Sequence, residues 1–402
     1  MTGSELVTHN NIDHRWLRRA LPIAICIALA APQAVAGARE QAKQIHDRLA
    51  GVPPSASVLD AMEQDILAND PAAAAARAMD NDAFYSVTLK NFATPWTNEE
   101  QTVFAPLNDY TATVIGMVRD GVDFREILSG NVIYTGSNSP AYSNTSNAHY
   151  EAMEQQGLAL GTVLVAHTQT EVTGLAANAT AGVITTRQAA KAFFKDGTNR
   201  AMFRFTLMNH LCHDLEQVKD TTRTPDRIRQ DVTRSPGGDS RVFLNACIGC
   251  HSGMDPMAQA FAYYNYSYDM DADEEGVNGQ LVYHGGEVDP KYHINSGNFR
   301  YGYVTPDDHW NNYWREGQNK VLGWDSGLSG AGTGAKSMGT ELAHSDAFAS
   351  CQVTKVFEAV CLRKPEDAAD RAEINSMIGN FRSSTYKLKT VFSDAAIYCR
   401  GD

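Results

Sequence analysis

The chain has 402 residues, a formal net charge of −13, 43% hydrophobic and 20% charged residues. A chain of this length and apolar content can bury one large core or two ordinary ones. Its acidity argues against nucleic acid and anionic membrane surfaces as partners, and is compatible with steering towards basic redox proteins.

Residues 1–36 read as a secretory signal peptide. Arg15, Arg18 and Arg19 supply the positive region, residues 21–31 the apolar stretch, and Ala34-Val35-Ala36 a small-residue cleavage site. The apolar stretch is too short for a membrane anchor. Arg18-Arg19 also suggests twin-arginine export, but the flanking residues fit it poorly, and no Cys follows the cleavage site. No second long apolar run occurs, so the expected mature chain has no membrane span and lies in the periplasm or outside the cell. Disulfides are permitted there.

Taken in order, the pattern predicts a helix over 39–50, stopped by Gly51-Val-Pro53-Pro54. Ser55 caps a second, over 58–68. Asp70-Pro71 opens an Ala-rich third over 72–79, with an extension through Phe84, Val87 and Phe92. Thr97-Asn98-Glu99-Glu100 is a start signal, with acidic residues in the first turn, leading into 103–117. Residues 123–128 form a short helix, 129–147 a long surface loop, and 163–172 a strand-like segment. Residues 173–182 show no clear period. Helices are predicted over 185–194 and 198–218, the second with Phe203, Leu207 and Leu211 on one face. His210 and His213 on that helix read as surface histidines before a metal pair. A polar stretch, 223–239, follows.

It leads to Arg241-Val-Phe-Leu-Asn-Ala-Cys247-Ile-Gly-Cys250-His251-Ser-Gly-Met254-Asp255-Pro256. Cys-x-x-Cys-His is the attachment pattern of c-type haem. Residues three and four apart share a helix face, so Cys247 and Cys250 can both form thioethers to one porphyrin. His251 is then the axial ligand of the haem iron. Val242, Phe243 and Leu244 can pack on the porphyrin edge. A thioredoxin-like reading would need a βαβ context, and a zinc site a second ligand pair, and neither is visible.

Asp255-Pro256 reads as the cap and first turn of a helix through Phe261. Residues 264–340 carry little helical period and read as a long irregular section, of a length that signals either function or a cover over a cofactor. Helices over 345–362, 366–381 and 386–398 close the chain. Asp269-Met-Asp271-Ala-Asp273-Glu-Glu-Gly276 has some features of a calcium loop, but Glu274 and Gln280 occupy the places that require Gly and Glu, and a solvated acidic loop is favoured.

Cys26 leaves with the signal, and four cysteines remain beside the haem pair. Cys351 and Cys361 would stand roughly 15 Å apart on one helix, beyond disulfide reach. The expected bridges are therefore Cys361–Cys399, at matching ends of an up-down-up trio, and Cys212–Cys351. For the sixth ligand Met254 is too near His251 in sequence. Met338, in the glycine-rich stretch 330–339, is the candidate, with ordinary packing as the competing reading. His284, His293, His309 and His344 compete, and a vacant position stays open.

Several segments resemble a known group, the haem-motif proteins of planctomycetes and marine proteobacteria, in which domains of unknown function surround one Cys-x-x-Cys-His. Arg48-Leu-Ala-Gly-Val-Pro-Pro54 is similar to the start of their N-terminal module, and Gly182-Val-Ile-Thr-Thr-Arg187 to the middle one. Residues 247–256 resemble the haem module, and Ser345-Asp-Ala-Phe348-Ala-Ser-Cys351 with Val356-Phe357 the C-terminal one. Residues 264–340 depart from the pattern. The resemblance implies an exported c-type haem protein and no particular reaction.

The expected protein is mainly α-helical, with a cytochrome c-like haem segment and long irregular loops. After the signal it divides into an N-terminal helical region (37–160), a haem-bearing region (161–340) and a C-terminal helical region (341–402). It carries one covalent haem c, transfers electrons to a redox partner protein, and binds no nucleic acid. The rivals are a haem peroxidase or oxygenase with an open distal site, and a redox subunit of a surface assembly.

Overall fold

A computed structural model describes residues 36–137, 140–230, 240–293 and 296–401. The expected signal, apart from Ala36, and most of the polar run before the haem motif therefore lie outside the described residues. The fold is mainly helical, at 56% helix and 7% strand.

The first three helices follow their local signals. Ala38–Ala50 buries Ala42, Ile45 and Leu49, and stops at Gly51, whose left-handed φ of 71° turns its N–H back to the Asp47 carbonyl. The Ser55 hydroxyl accepts from Val58 N and starts Ala56–Leu67. The Asp70 carboxylate accepts from Ala73 N and starts Pro71–Met79. The expected extension is interrupted at Asp80, and the chain resumes as a π-helical turn, Phe84–Leu89.

The helix expected over 103–117 begins later. Pro106 has no N–H and disfavours helical geometry in the residue before it. Asn108 caps instead, accepting from Thr111 N, and the helix runs Asp109–Asp120. It is buried from Asp109 to Val118. One reason it can lie so deep is Gly116, where a Cβ would come within 2.1 Å of the Tyr134 ring.

Residues 129–147 are not all surface loop. Ile133–Thr135 is a fully buried strand, antiparallel to Val165–His167 with Tyr134 opposite Ala166. The strand-like 163–172 keeps only those three residues extended. Thr168 and Glu171 then form a capping box and open the short helix Gln169–Thr173. The helix expected over 198–218 ends at Leu211, because Cys212 takes a left-handed φ of 57°. His210 is fully buried, so the surface reading of that histidine is corrected, and His213 lies past the helix end.

Residues 264–340 hold more order than expected. Tyr264–Tyr268 pairs antiparallel with Gly279–Tyr283, and His309–Asn311 with Ala331–Thr333. The Gly-rich stretch is a helix, Gly334–Ala343.

Ser345 caps Asp346–Cys361 through Phe348 N, Asp367 caps Ala368–Ser383, and Leu388–Tyr398 completes the trio. The first and third of these helices pack together and carry the Cys361–Cys399 disulfide, with Cα atoms 5.5 Å apart. Cys212 and Cys351 form the other disulfide, at 5.3 Å. The last helix also packs on Ala38–Ala50 and Pro71–Met79. One apolar core therefore draws on all three expected regions, from Ala42 to Ala396. Among the described residues, no helix is long and apolar enough to cross a membrane.

Candidate functional site

The haem motif lies on one continuous helical run: a turn at Ser240–Val242, a π-helical turn at Phe243–Cys247, then the α-helix Ile248–Ala258. The π turn is closed by Ile248 N–H donating to the Phe243 carbonyl, and such widened turns recur at functional sites. The expected helix start at Asp255-Pro256 is corrected. The helix begins well upstream, so Asp255 cannot cap it and Pro256 lies inside it.

The back of this helix is seated closely. A Cβ on Gly253 would stand 1.9 Å from Trp314 Nε1, and Trp314 is itself fully buried. Asp220 N–H donates to the Gly249 carbonyl at 2.8 Å and ties the preceding loop to the motif. Cys247 and Cys250 are both free and half-buried, in contrast to the four cysteines in disulfides. The Cys250 thiol lies 3.5 Å from the Leu215 carbonyl. Burial, then the charge of Glu216, pushes that thiol up, so it is not an activated thiolate. Beside the cysteines, Val242 and Leu244 are 46% and 50% exposed, while Phe243 between them is buried.

His251 is held on two sides. The Phe243 ring meets the imidazole edge-on, with centroids 5.2 Å apart. One turn on, both carboxylate oxygens of Asp255 lie 3.1 Å from His251 Nδ1. Asp255 is in turn gripped by Arg200 on the helix Asn199–Leu211, with Nε to Oδ1 at 2.8 Å and Nη2 to Oδ2 at 3.0 Å. Burial opposes charge on Asp255, but the Arg200 guanidinium, His251 and their hydrogen bonds outweigh it. The carboxyl is held well below the usual range. An ionised Asp255 can only accept, so Nδ1 of His251 carries the proton of this bond. Among the described residues no hydrogen bond occupies Nε2.

This arrangement fits a haem iron ligand. A metal-binding histidine typically donates its other ring N–H to a carboxylate, which orients the ring and strengthens its donation. Asp255 at i+4 was within reach of sequence reasoning, as a same-face neighbour of His251. Arg200 was not, since only the packing of two distant helices brings it there.

The other candidates fall elsewhere. Met338 is fully buried on the helix Gly334–Ala343 and belongs to the main core. The expectation that it sits in a glycine-rich loop is corrected: Gly334 begins a helix, and Gly339 packs on the Leu128 carbonyl. His344 Nδ1 bonds the Thr340 carbonyl at 2.8 Å. His210 Nε2 bonds the Tyr110 hydroxyl at 2.8 Å, and His213 Nδ1 the Leu211 carbonyl at 2.6 Å, so the two do not form a metal pair. In the acidic loop, Asp269 accepts from Asp271 N and Ala272 N, and Asp273 from Val277 N and Asn278 N. These carboxylates cap their own hairpin turn rather than converging on a calcium site. Among the described residues no group of three or more His, Cys, Asp or Glu side chains is placed to hold a bare metal ion. No family model, curated protein or solved structure matches the chain. The likeness to the haem-motif proteins rests on the quoted segments alone.

Proposed function

We propose that the chain is a c-type haem protein that transfers electrons outside the cytoplasm. The observation that carries the reading is the His251–Asp255–Arg200 chain beside two free cysteines, in a protein whose four other described cysteines are bridged. Cys247 and Cys250 would hold the porphyrin through thioethers, and His251 Nε2 would bind its iron. Bound there, the haem supplies a one-electron redox centre. The protein's part is to hold the imidazole ring, keep the proton on Nδ1, and offer Val242 and Leu244 as an apolar surface for the porphyrin. The disulfides agree with an oxidising compartment.

A second reading is a haem enzyme, a peroxidase or oxygenase. It is favoured by the buried carboxylate on the ligand histidine, since a more basic ligand stabilises oxidised iron. The role of a redox subunit in a surface assembly is a further form of the first reading.

The test is expression with export in a host that matures c-type cytochromes. The denatured protein should retain one haem by mass, and acid acetone should not extract it. Cys247→Ala/Cys250→Ala should lose the covalent haem while remaining folded. Folded wild-type protein from that host without haem would sink the proposal. Turnover of peroxide with a reducing dye would move the assignment to the enzyme.

A further inference from the structure

A cavity of about 340 Å³ shares no lining residue with the haem motif. Arg187, Tyr142, Thr185 and Gln280 are among its polar lining residues, and Leu175, Leu281 and Tyr283 supply apolar wall. Its size is at the small end of pockets that take organic molecules, about 300–1,000 Å³.

Arg187 opens the helix Arg187–Phe194 and is only 6% exposed. Its Nη2 donates to the Tyr266 hydroxyl at 3.2 Å and to the Val277 carbonyl, both neutral acceptors. Its Nε is buried and has no hydrogen-bond partner. Among the described residues no carboxylate stands within ion-pair distance of the guanidinium. The nearby buried carboxylate, Asp109, is turned to backbone instead: it accepts from Arg187 N at 2.7 Å, Gln188 N at 3.1 Å and Tyr110 N at 3.0 Å. Tyr142 contributes a second orphan, a buried hydroxyl without a partner. Burial drives its pKa far up, so the hydroxyl stays a donor.

Buried charges are normally paired, and buried polar groups normally bonded. Two orphaned donors, one of them cationic, on residues lining a cavity of mixed polar and apolar wall call for one kind of occupant. We propose that this cavity binds a small organic carboxylate. Its carboxylate meets Arg187 and Tyr142, and its apolar body lies against Leu281 and Tyr283. The site is independent of the haem assignment.

The test is titration calorimetry on the purified full chain with benzoate, hexanoate and benzamide as probes. At least one of the two carboxylates should bind saturably at one site with a Kd of about 1 mM or tighter. Benzamide should bind at least about tenfold more weakly than benzoate, because charge-assisted bonds are the stronger kind. Arg187 also ties Tyr266 and Val277, so Arg187→Gln can fail to fold. Tyr142→Phe and Leu281→Trp carry the test instead. The first should weaken carboxylate binding severalfold, and the second should block it by filling the cavity. No saturable binding of either carboxylate, equal binding of benzamide and benzoate, or binding indifferent to both variants would overturn the proposal.

Discussion

Replacing Asp255 with Asn keeps the volume of the side chain and removes one charge from the His251–Asp255–Arg200 chain. The carboxylate is 1% exposed and the Arg200 side chain 17%. Hydrogen bonds to charged groups contribute about 1.5–3 kcal/mol each, against about 1 kcal/mol for neutral ones. Two bonds to Arg200 and one to His251 then lose about 3 kcal/mol together. Loss of one partner from a buried ion pair costs about 3–5 kcal/mol by a separate route. Arg200 keeps some solvent exposure and a further interaction, which places the cost near the lower end of that range. Urea unfolding at neutral pH should show a lower midpoint at unchanged slope. The exposed pair Arg382–Asp346 supplies the control, and Arg382→Gln should cost under about 1 kcal/mol. Nitrogen-15 spectra should show His251 protonated at Nδ1 in the wild type and in mixed tautomers in Asp255→Asn. A cost below about 1 kcal/mol, or an unchanged tautomer, would refute the assignment of Asp255 as the group that orients His251.

Cys361→Ala/Cys399→Ala opens a loop of sequence separation 38 and should cost up to about 4 kcal/mol in denaturant midpoint experiments; Cys212→Ala/Cys351→Ala, at separation 139, should cost more, up to about 5 kcal/mol. Gly253→Ala drives a methyl into Trp314 and should cost about 1–3 kcal/mol, with a red shift of tryptophan emission if the helix lifts. Lys355 lies 4.3 Å above the Trp96 ring, and burial pushes its pKa down to about 7. Between that value and the ordinary lysine value of about 10.4 the unfolded chain binds more protons. The wild type should therefore gain stability relative to Lys355→Met as pH rises from 7 to 10, by at most about 1.4 kcal/mol per pH unit, and show no such trend below 7. Met338→Ala should cost about 2–5 kcal/mol in urea unfolding, as expected of a closed core position.

What the sequence by itself determined is local. Ser55, Asp70 and Ser345 start helices because a side-chain oxygen can satisfy a free N–H within three residues, and Gly51 ends one because it accepts a left-handed turn. The Cys-x-x-Cys-His pattern was legible for the same reason, since its members share one helix face. Helix length excluded a Cys351–Cys361 bridge, a local quantity, and the pairing of Cys361 with Cys399 needed in addition the up-down-up order of the last three helices. Tertiary structure decided the rest. It buried His210 under Tyr110, placed Met338 in the core, and turned Asp255 from an expected cap into the partner of His251 and Arg200. It also set Arg187 and Tyr142 around one cavity from distant parts of the chain. Such placements depend on which helix faces meet, and no local pattern encodes that meeting: the free energy of burial attaches to surfaces joined only after the chain has folded.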